Sequence, residues 1–367
     1  MRVLVVNAGS SSVKLRVVDN EGHIGAKADL GAPGQDLVDQ LERFVGDAGP
    51  LDAAGHRVVH GGSRFRDAVV VDDAIRADLD KLSALAPLHN PPALEAIDAL
   101  TRIRPELASV ACFDTAFHAS LPPESVSYAL PSDWVDRWSI RRYGFHGLSC
   151  SWATARTAEV LGWPPHSGRL AVCHLGAGGS VTAVHAGRSV DTTMGFTPVE
   201  GLVMATRPGD VDPGAISWLV ANGIGADELG DALEHRSGLA ALSGEPSGNM
   251  RVLLARRDGG DIPAGLAVRI YLHRLRAKIA AMAAAMEGLD ALVFTGGIGE
   301  NSEAIRAETC AGLHWLGVSI DEHANTSSAG SDADISGSGA PVRTVVVHAR
   351  EELVIAADCR RLLASRR

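Results

Sequence analysis

A chain of 367 residues, 46% hydrophobic and 21% charged, holds enough apolar material for two packed domains. Its formal net charge of -10 argues against a general polyanion-binding surface, and so against nucleic acid as a partner, while leaving open a small anion held by arginines in a cleft. Apolar stretches such as residues 279–286 are too short to span a bilayer, no signal peptide precedes the first strand, and five scattered cysteines without a C-x-x-C pattern read as reduced core thiols; no membrane association and a cytoplasmic location are expected.

Residues 2–6, RVLVV, are β-branched and apolar and predict a buried strand. The turn NAGSSS follows, and Val13, Leu15 and Val17 then alternate with Lys14 and Arg16. That period of two predicts a second strand, so the turn closes a hairpin and is not a Walker loop, which would lead into a helix. Residues 24–30 supply a third strand. The same order returns near residue 170: LAVCHL, the small-residue turn GAGGS, VTAVHAG and RSVDTT. Two copies of one supersecondary unit suggest a duplicated α/β fold.

Residues 264–288 read as a packed amphipathic helix whose methionines fill core. The strand ALVF, 291–294, runs into TGGIGENSEAIRAE, where Asn301 or Ser302 is placed to cap a helix. Residues 323–341, rich in Ser, Gly and Asp, predict a surface loop; VRTVVVHA then predicts a strand and EELVIAADCRRLLA a terminal helix.

Chemistry-bearing side chains collect in a few places. GHRVVHGG (55–62) sets Arg57 and His60 around two valines, and an interior arginine needs an anionic partner, either an internal carboxylate or a substrate. PLHNPP (87–92) stiffens a loop around His89 and Asn90. Asp114 ends the apolar run of ACFD, and His146 ends RRYGFH, each where a cleft would lie; Arg141 and Arg142 read as surface or interface charges. Arg207 and Asp210 occupy a Gly- and Pro-rich loop. His60 and His89 fit hydrogen-bonded structural roles better than catalytic ones.

VVNAGSSSVK, GHRVVHGG, PLHNPP, FDTAFH, RRYGFHG, HLGAGGS, DTTMGFTPVEGL, TRPGDVDP, FTGGIGEN and EELVIA together resemble, in order, the signature stretches of the acetate kinase family. The resemblance implies an α/β protein of duplicated ribonuclease H-like domains, of the actin and sugar-kinase type, around a nucleotide cleft. The first domain would comprise residues 1–115 and 352–367 and the second 116–351. It implies reversible transfer of the ATP γ-phosphoryl group to acetate, giving acetyl phosphate and ADP, with Mg²⁺ or Mn²⁺ as cofactor and a homodimer as the assembly. By the same resemblance Asn7 and Glu351 serve the metal and Lys14 reaches the nucleotide phosphates. Arg57 pairs with the substrate carboxylate, Val59, Leu88 and Pro198 line the acyl pocket, and Asp114, His146 and Arg207 are catalytic. The segments His174, Leu175, Gly176, Ala177 and Gly178, then Asn249, Met250 and Arg251, then Gly297, Ile298, Gly299, Glu300 and Asn301 bind nucleotide.

That division of labour makes physical sense, because acetate is already an anion and the obstacle is bringing it to a triphosphate of like charge. The chain departs from the family pattern at Ala177, where HLGNG is usual, at Asn249, where an Asp is usual, and at Ala349-Arg350, where Thr-Asn precedes the paired glutamates. These departures open the question of purine selectivity and of whether Glu351 or Glu352 serves the metal. The region before Arg57 is also shorter than the family norm. Propionate or butyrate as acceptor, and a nucleotide-driven binding module without a small acceptor, are the competing expectations.

Overall fold

The computed structural model describes residues 1–9, 12–32, 34, 36–84, 86 and 89–364. It divides into two compact units, one of Met1–Ala119, Phe145–Trp152 and Arg350–Arg367, the other of Ser120–Gly144 and Ala153–Ala349. His146 and Glu351 thus belong to the first unit.

Each unit is built on a six-stranded sheet. The first contains β1 (Val3–Ala8), β2 (Val13–Val18), β3 (Ile24–Leu30), β4 (Ala53–Val58), β5 (Val69–Val70) and β6 (Ser109–Phe113), in the order β3-β2-β1-β4-β6-β5. The second contains β7 (Arg169–Leu175), β8 (Gly179–His185), β9 (Arg188–Thr192), β10 (Ala291–Thr295), β11 (Ala333–Asp334) and β12 (Arg343–Val346), in the order β9-β8-β7-β10-β12-β11. In both, three antiparallel strands lead into two parallel neighbours, and a short antiparallel strand closes the edge. The two sheets superimpose strand for strand in topology, which is the duplicated α/β fold that the repeated hairpin suggested. The hairpin turns differ: Gly9 to Ser12 separates the paired Ala8 and Val13, whereas Gly176 to Gly178 separates Leu175 and Gly179.

Strand alternation sorts the first unit's core. Leu4, Val6, Val13, Leu15, Val17 and Ala54 pack with the helices Leu37–Asp47 and Asn90–Ile103 on one face. Val3, Val5, Val18, Val110 and Cys112 pack with the C-terminal helix Glu351–Ala364 on the other. Gly55 in β4 lies on that second face, where a Cβ would stand 2.4 Å from Ile355 Cγ2 and 2.7 Å from Cys359 Sγ. Glycine there is what lets the C-terminal helix lie so close to the sheet.

In the second unit the helix Ile262–Ala285 buries Ala264, Val268, Tyr271, Leu275, Ile279 and Met282 at three- and four-residue intervals against the sheet, and Met282 and Met286 fill core as expected. The helix after β10 starts earlier than the cap prediction: Gly296–Asn301 is helical, Ser302 breaks it, and the Ser302 hydroxyl accepts from Ile305 N to cap the next helix, Glu303–Ala311. Residues 323–341 are not simply a loop. They include most of the helix Glu322–Ser327 and all of β11, and Asn325, Ser328 and Ile335 are buried. The polar composition that suggested exposure serves a buried arginine instead: Arg306 donates to Asn325 Oδ1 at 2.7 Å, to Asn325 O at 2.8 Å and to Ser328 Oγ at 3.0 Å. All five cysteines are buried thiols. Among the described residues no helix is long and apolar enough to cross a membrane.

Candidate active site

In the first unit, strand register decides which polar residues share a face. Asn7 pairs with Lys14 across β1 and β2, so the two share a face. Val6 lies beside His56 and Arg57 beside Cys112, which carries Asn7, Arg57 and Asp114 to the same face at the carboxyl ends of β1, β4 and β6. This is the face covered by the C-terminal helix, and Glu351 stands at that helix's first turn.

The side chains meet there. Arg57 donates from Nε to Asp114 Oδ1 at 3.1 Å and from Nη2 to Asp114 Oδ2 at 2.5 Å, a two-point pair. Its Nη1 donates to Asn7 Oδ1 at 3.3 Å, Asn7 Nδ2 donates to Glu351 Oε2 at 3.3 Å, and Arg57 Nε lies 3.7 Å from the same Glu351 oxygen. The Asp114 side chain is 1% exposed and that of Arg57 18%, so one edge of the guanidinium remains open. Burial works against the Arg57 charge, but Asp114 and Glu351 outweigh it and hold the group more firmly protonated than usual. The neighbouring Glu352 carboxyl is raised by burial, with Glu351 adding to the effect. Lys14 is exposed on β2 and Val59 is buried just past the end of β4.

His146 reaches this end of the unit by a strained turn. Its φ is 58°, a left-handed value unusual for a non-glycine residue, and the next residue, Gly147, donates to Asp114 O at 2.9 Å. A Cβ on Gly147 would stand 2.1 Å from that carbonyl, so glycine is required for the approach. His60 and Asn90 hold one another. His60 N donates to Asn90 Oδ1 at 3.0 Å, Asn90 Nδ2 donates to His60 O at 3.1 Å, and His60 Nδ1 accepts from Gly62 N at 2.9 Å. His89 occupies the cap position of the helix that Asn90 begins. Leu88 lies outside the described residues.

The second unit holds a cavity of about 640 Å³ whose wall includes Gly176, Ala177, Asn249, Arg251, Gly297 and Asn301. Three separated segments thus meet: the turn after β7, the start of the helix Met250–Asp258, and the helix after β10. Met250 and Ile298 also line it; His174, Leu175, Gly178, Gly299 and Glu300 do not. Gly296, at φ 78°, makes the junction possible, since a Cβ there would meet Leu175 O at 2.8 Å. Asn249 caps its helix, its Oδ1 accepting from Arg251 N at 3.0 Å and Val252 N at 3.5 Å. The Glu300 carboxylate is committed to backbone, accepting from Gly296 N at 2.8 Å and Ala349 N at 2.9 Å. Arg207, 19% exposed, is held by Glu234 at 2.9 Å and donates to Pro198 O at 3.3 Å.

Comparison with known proteins gives the assembly a family. The model of the acetokinase family matches residues 23–357. The chain is 41% identical to the acetate kinase of Synechococcus sp. (strain JA-2-3B'a(2-13)) over 99% of both sequences. The chain belongs to the acetokinase family. Its members are kinases that transfer phosphate to a carboxylate, and the fold agrees throughout. The crystal structure of Porphyromonas gingivalis acetate kinase superposes with a TM-score of 0.90 at 34% identity, over 99% of both chains. A propionate kinase from Francisella tularensis subsp. tularensis SCHU S4 also superposes at 0.90, with 35% identity over 97% of this chain and 98% of that one.

One group of this acetokinase-family chain was misjudged from sequence. Arg142, expected as a surface or interface charge, is largely buried inside its own unit. Its side chain is 17% exposed, it donates to Glu200 Oε1 at 2.7 Å and to the carbonyls of Thr193 and Met194 at 3.3 and 3.1 Å, and its guanidinium lies 5.4 Å from the Tyr128 ring centre. The argument applied to Arg57, that a buried cation needs an anion, reaches Arg142 only once its burial is known, and Glu200 is the anion that answers it.

Proposed function

We propose that this protein catalyses reversible transfer of the γ-phosphoryl group of ATP to acetate, forming acetyl phosphate and ADP. The observation that carries the reading is the convergence of Asn7, Arg57, Asp114 and Glu351 at one end of the first sheet, in a chain of the acetokinase family. Arg57 offers a planar fork to the acetate carboxylate, with Asp114 fixing its orientation from the buried side, and the family resemblance names Val59, Leu88 and Pro198 as the acyl-pocket residues. Asp114 is spoken for by Arg57 and has no proton to remove from acetate, so its part is orientation. His146 and Arg207 supply positive or donor groups to the transferring phosphoryl, and Lys14 meets the nucleotide phosphates.

The donor set of Asn7 and Glu351 fits a hard divalent cation such as Mg²⁺, with Mn²⁺ as a substitute, because such ions take one or two protein oxygens and fill their remaining positions with water and phosphate. When bound, the ion neutralises phosphate charge. The cavity lined by Gly176, Ala177, Asn249, Met250, Arg251, Gly297, Ile298 and Asn301 is of a size for adenosine; the family resemblance adds His174, Leu175, Gly178, Gly299 and Glu300 from the same segments. Ala177 removes a side-chain amide, and Gly176 N is already committed to Gly178 O at 2.8 Å, so phosphate would fall to the remaining backbone of the turn. A homodimer in the cytoplasm completes the reading. The apolar helix Pro213–Ala221, with Trp218 64% exposed, supports a face covered by a second copy, to be measured by sedimentation.

Incubation with ATP, Mg²⁺ and hydroxylamine tests the reaction, with acetate, propionate and butyrate in separate arms. Acyl hydroxamate forming fastest from acetate is the expected result. Preference for propionate would reassign the acceptor within the family, and ADP release independent of any acid would overturn the reading.

A further inference from the structure

We propose that Tyr128, Arg142 and Glu200 form a positioning brace that fixes residues 196–198 and so sets the length of acid the enzyme accepts; this rests on the acyl-kinase reading above. The three side chains make a continuous chain of hydrogen bonds around one stretch of backbone. Phe196 N donates to the Tyr128 hydroxyl at 3.0 Å, the hydroxyl donates to Glu200 Oε2, and Glu200 Oε1 accepts from Arg142 at 2.7 Å. Arg142 returns to the same stretch through the carbonyls of Thr193 and Met194. The amides of Tyr143 and Gly144 hold Gly195 O at 3.0 and 3.4 Å.

Nothing in this arrangement has slack. A Cβ on Gly195 would stand 1.7 Å from Glu200 Oε2 and 2.1 Å from the Tyr128 hydroxyl, so the backbone is drawn directly onto the pair. The Tyr143 and Phe196 rings lie 6.0 Å apart, and Pro198 O is held by Arg207. Every polar group between Thr193 and Pro198 that the brace touches is tied to a side chain rooted elsewhere. The Tyr128 hydroxyl is kept protonated by burial and by Glu200, so it remains a donor over the working pH range. The proline assigned to the acyl pocket therefore follows, two residues on, the last amide that the brace holds, and its own carbonyl is held by Arg207. A pocket wall held this rigidly cannot yield to an extra methylene, whereas a loosened one can.

The test is acyl-hydroxamate kinetics on wild type, Tyr128→Phe, Glu200→Gln and Glu200→Ala with acetate and propionate. Tyr128→Phe keeps the ring over Arg142 and removes only the hydroxyl. The expected result is a KM for acetate raised about tenfold with kcat and the KM for ATP nearly unchanged, and a propionate-to-acetate ratio of kcat/KM raised about fivefold. Glu200→Gln, which keeps an acceptor for Arg142, should lie nearer wild type than Glu200→Ala. Unchanged selectivity in Tyr128→Phe overturns the brace, as does a parallel rise in the KM for ATP and acids, which marks a merely structural role. If Tyr128→Phe does not fold, Glu200→Gln against Glu200→Ala decides by the same ratio. Wild type inert toward every carboxylic acid overturns the acyl-kinase reading and the brace with it, whereas active wild type with unmoved selectivity overturns the brace alone.

Discussion

Arg57 and Asp114 face one another from the ends of adjacent parallel strands, joined at two points with Nε–Oδ1 at 3.1 Å and Nη2–Oδ2 at 2.5 Å. The carboxylate is fully buried and the guanidinium keeps an edge toward solvent. An arginine so held is already charged, desolvated on one side and oriented. Binding a second carboxylate therefore requires little reorganisation of the protein.

Replacing Asp114 with Asn should accordingly damage catalysis more than binding of nucleotide. Asn keeps one acceptor but leaves the buried side of Arg57 without a counter-charge. Turnover should fall on the order of 100-fold, with a raised KM for acetate and little change for ATP. Near-normal turnover in the hydroxamate assay would remove Asp114 from the mechanism. Arg57→Lys should fare similarly, since a single ammonium cannot satisfy both Asp114 oxygens and a substrate carboxylate.

Gly55→Ala tests whether the C-terminal helix must lie against the sheet for Glu351 to be in place. The added methyl meets Ile355 Cγ2 on a β-branched side chain and the Cys359 sulfur, so the helix has to shift. Stability should drop by about 1–3 kcal/mol in urea denaturation. The Mg²⁺ concentration for half-maximal rate should rise, and Ile355→Ala in the same chain should recover part of both losses.

Much of the fold was legible because strand alternation is a strong signal. Val13, Leu15 and Val17 against Lys14 and Arg16 marked the hairpin, and its repeat in LAVCHL and VTAVHAG marked the duplication. Composition failed where polar residues serve the interior. Asn325 and Ser328, read as loop, accept from buried Arg306, as do the carbonyls of Gly299 and Glu300. Arg142, read as surface, answers to Glu200 fifty-eight positions later, a pairing that no local pattern announces. In the site, residue types identified Arg57 and Asp114 as candidates, but only the β4–β6 register shows that each is the other's partner.

Asn249 carries a prediction about nucleotide choice. Its side-chain oxygen is engaged by Arg251 N and Val252 N as a helix cap, a role Asn and Asp perform about equally well. Asn249→Asp should therefore leave stability within about 1 kcal/mol and the ATP-to-GTP ratio of kcat/KM within about threefold. Asn249→Ala should cost about 1 kcal/mol and raise the KM for ATP. A large change of purine preference in Asn249→Asp would show that this side chain reads the base.

Two buried histidines give the fold an acid sensitivity of defined sign. Burial lowers His56 from 6.5 to about 4, and burial, opposed by the bond to Phe145 O, lowers His118 likewise. Between these values the unfolded chain binds protons that the folded chain does not, so stability falls as pH drops from about 6.5 to about 4 and is flat above. Each imidazole contributes a slope of about 1 kcal/mol per pH unit in that window. Glu352 and Asp358, raised by burial, act oppositely, because the folded chain takes up their protons first as pH falls. The difference between wild type and His118→Gln therefore isolates the imidazole. Urea midpoints measured from pH 8 to pH 4 should converge as pH falls, with His118→Gln the less stable at pH 8 through its altered packing and the less sensitive to acid. Parallel curves across that range would show that His118 binds its proton equally in the folded and unfolded states.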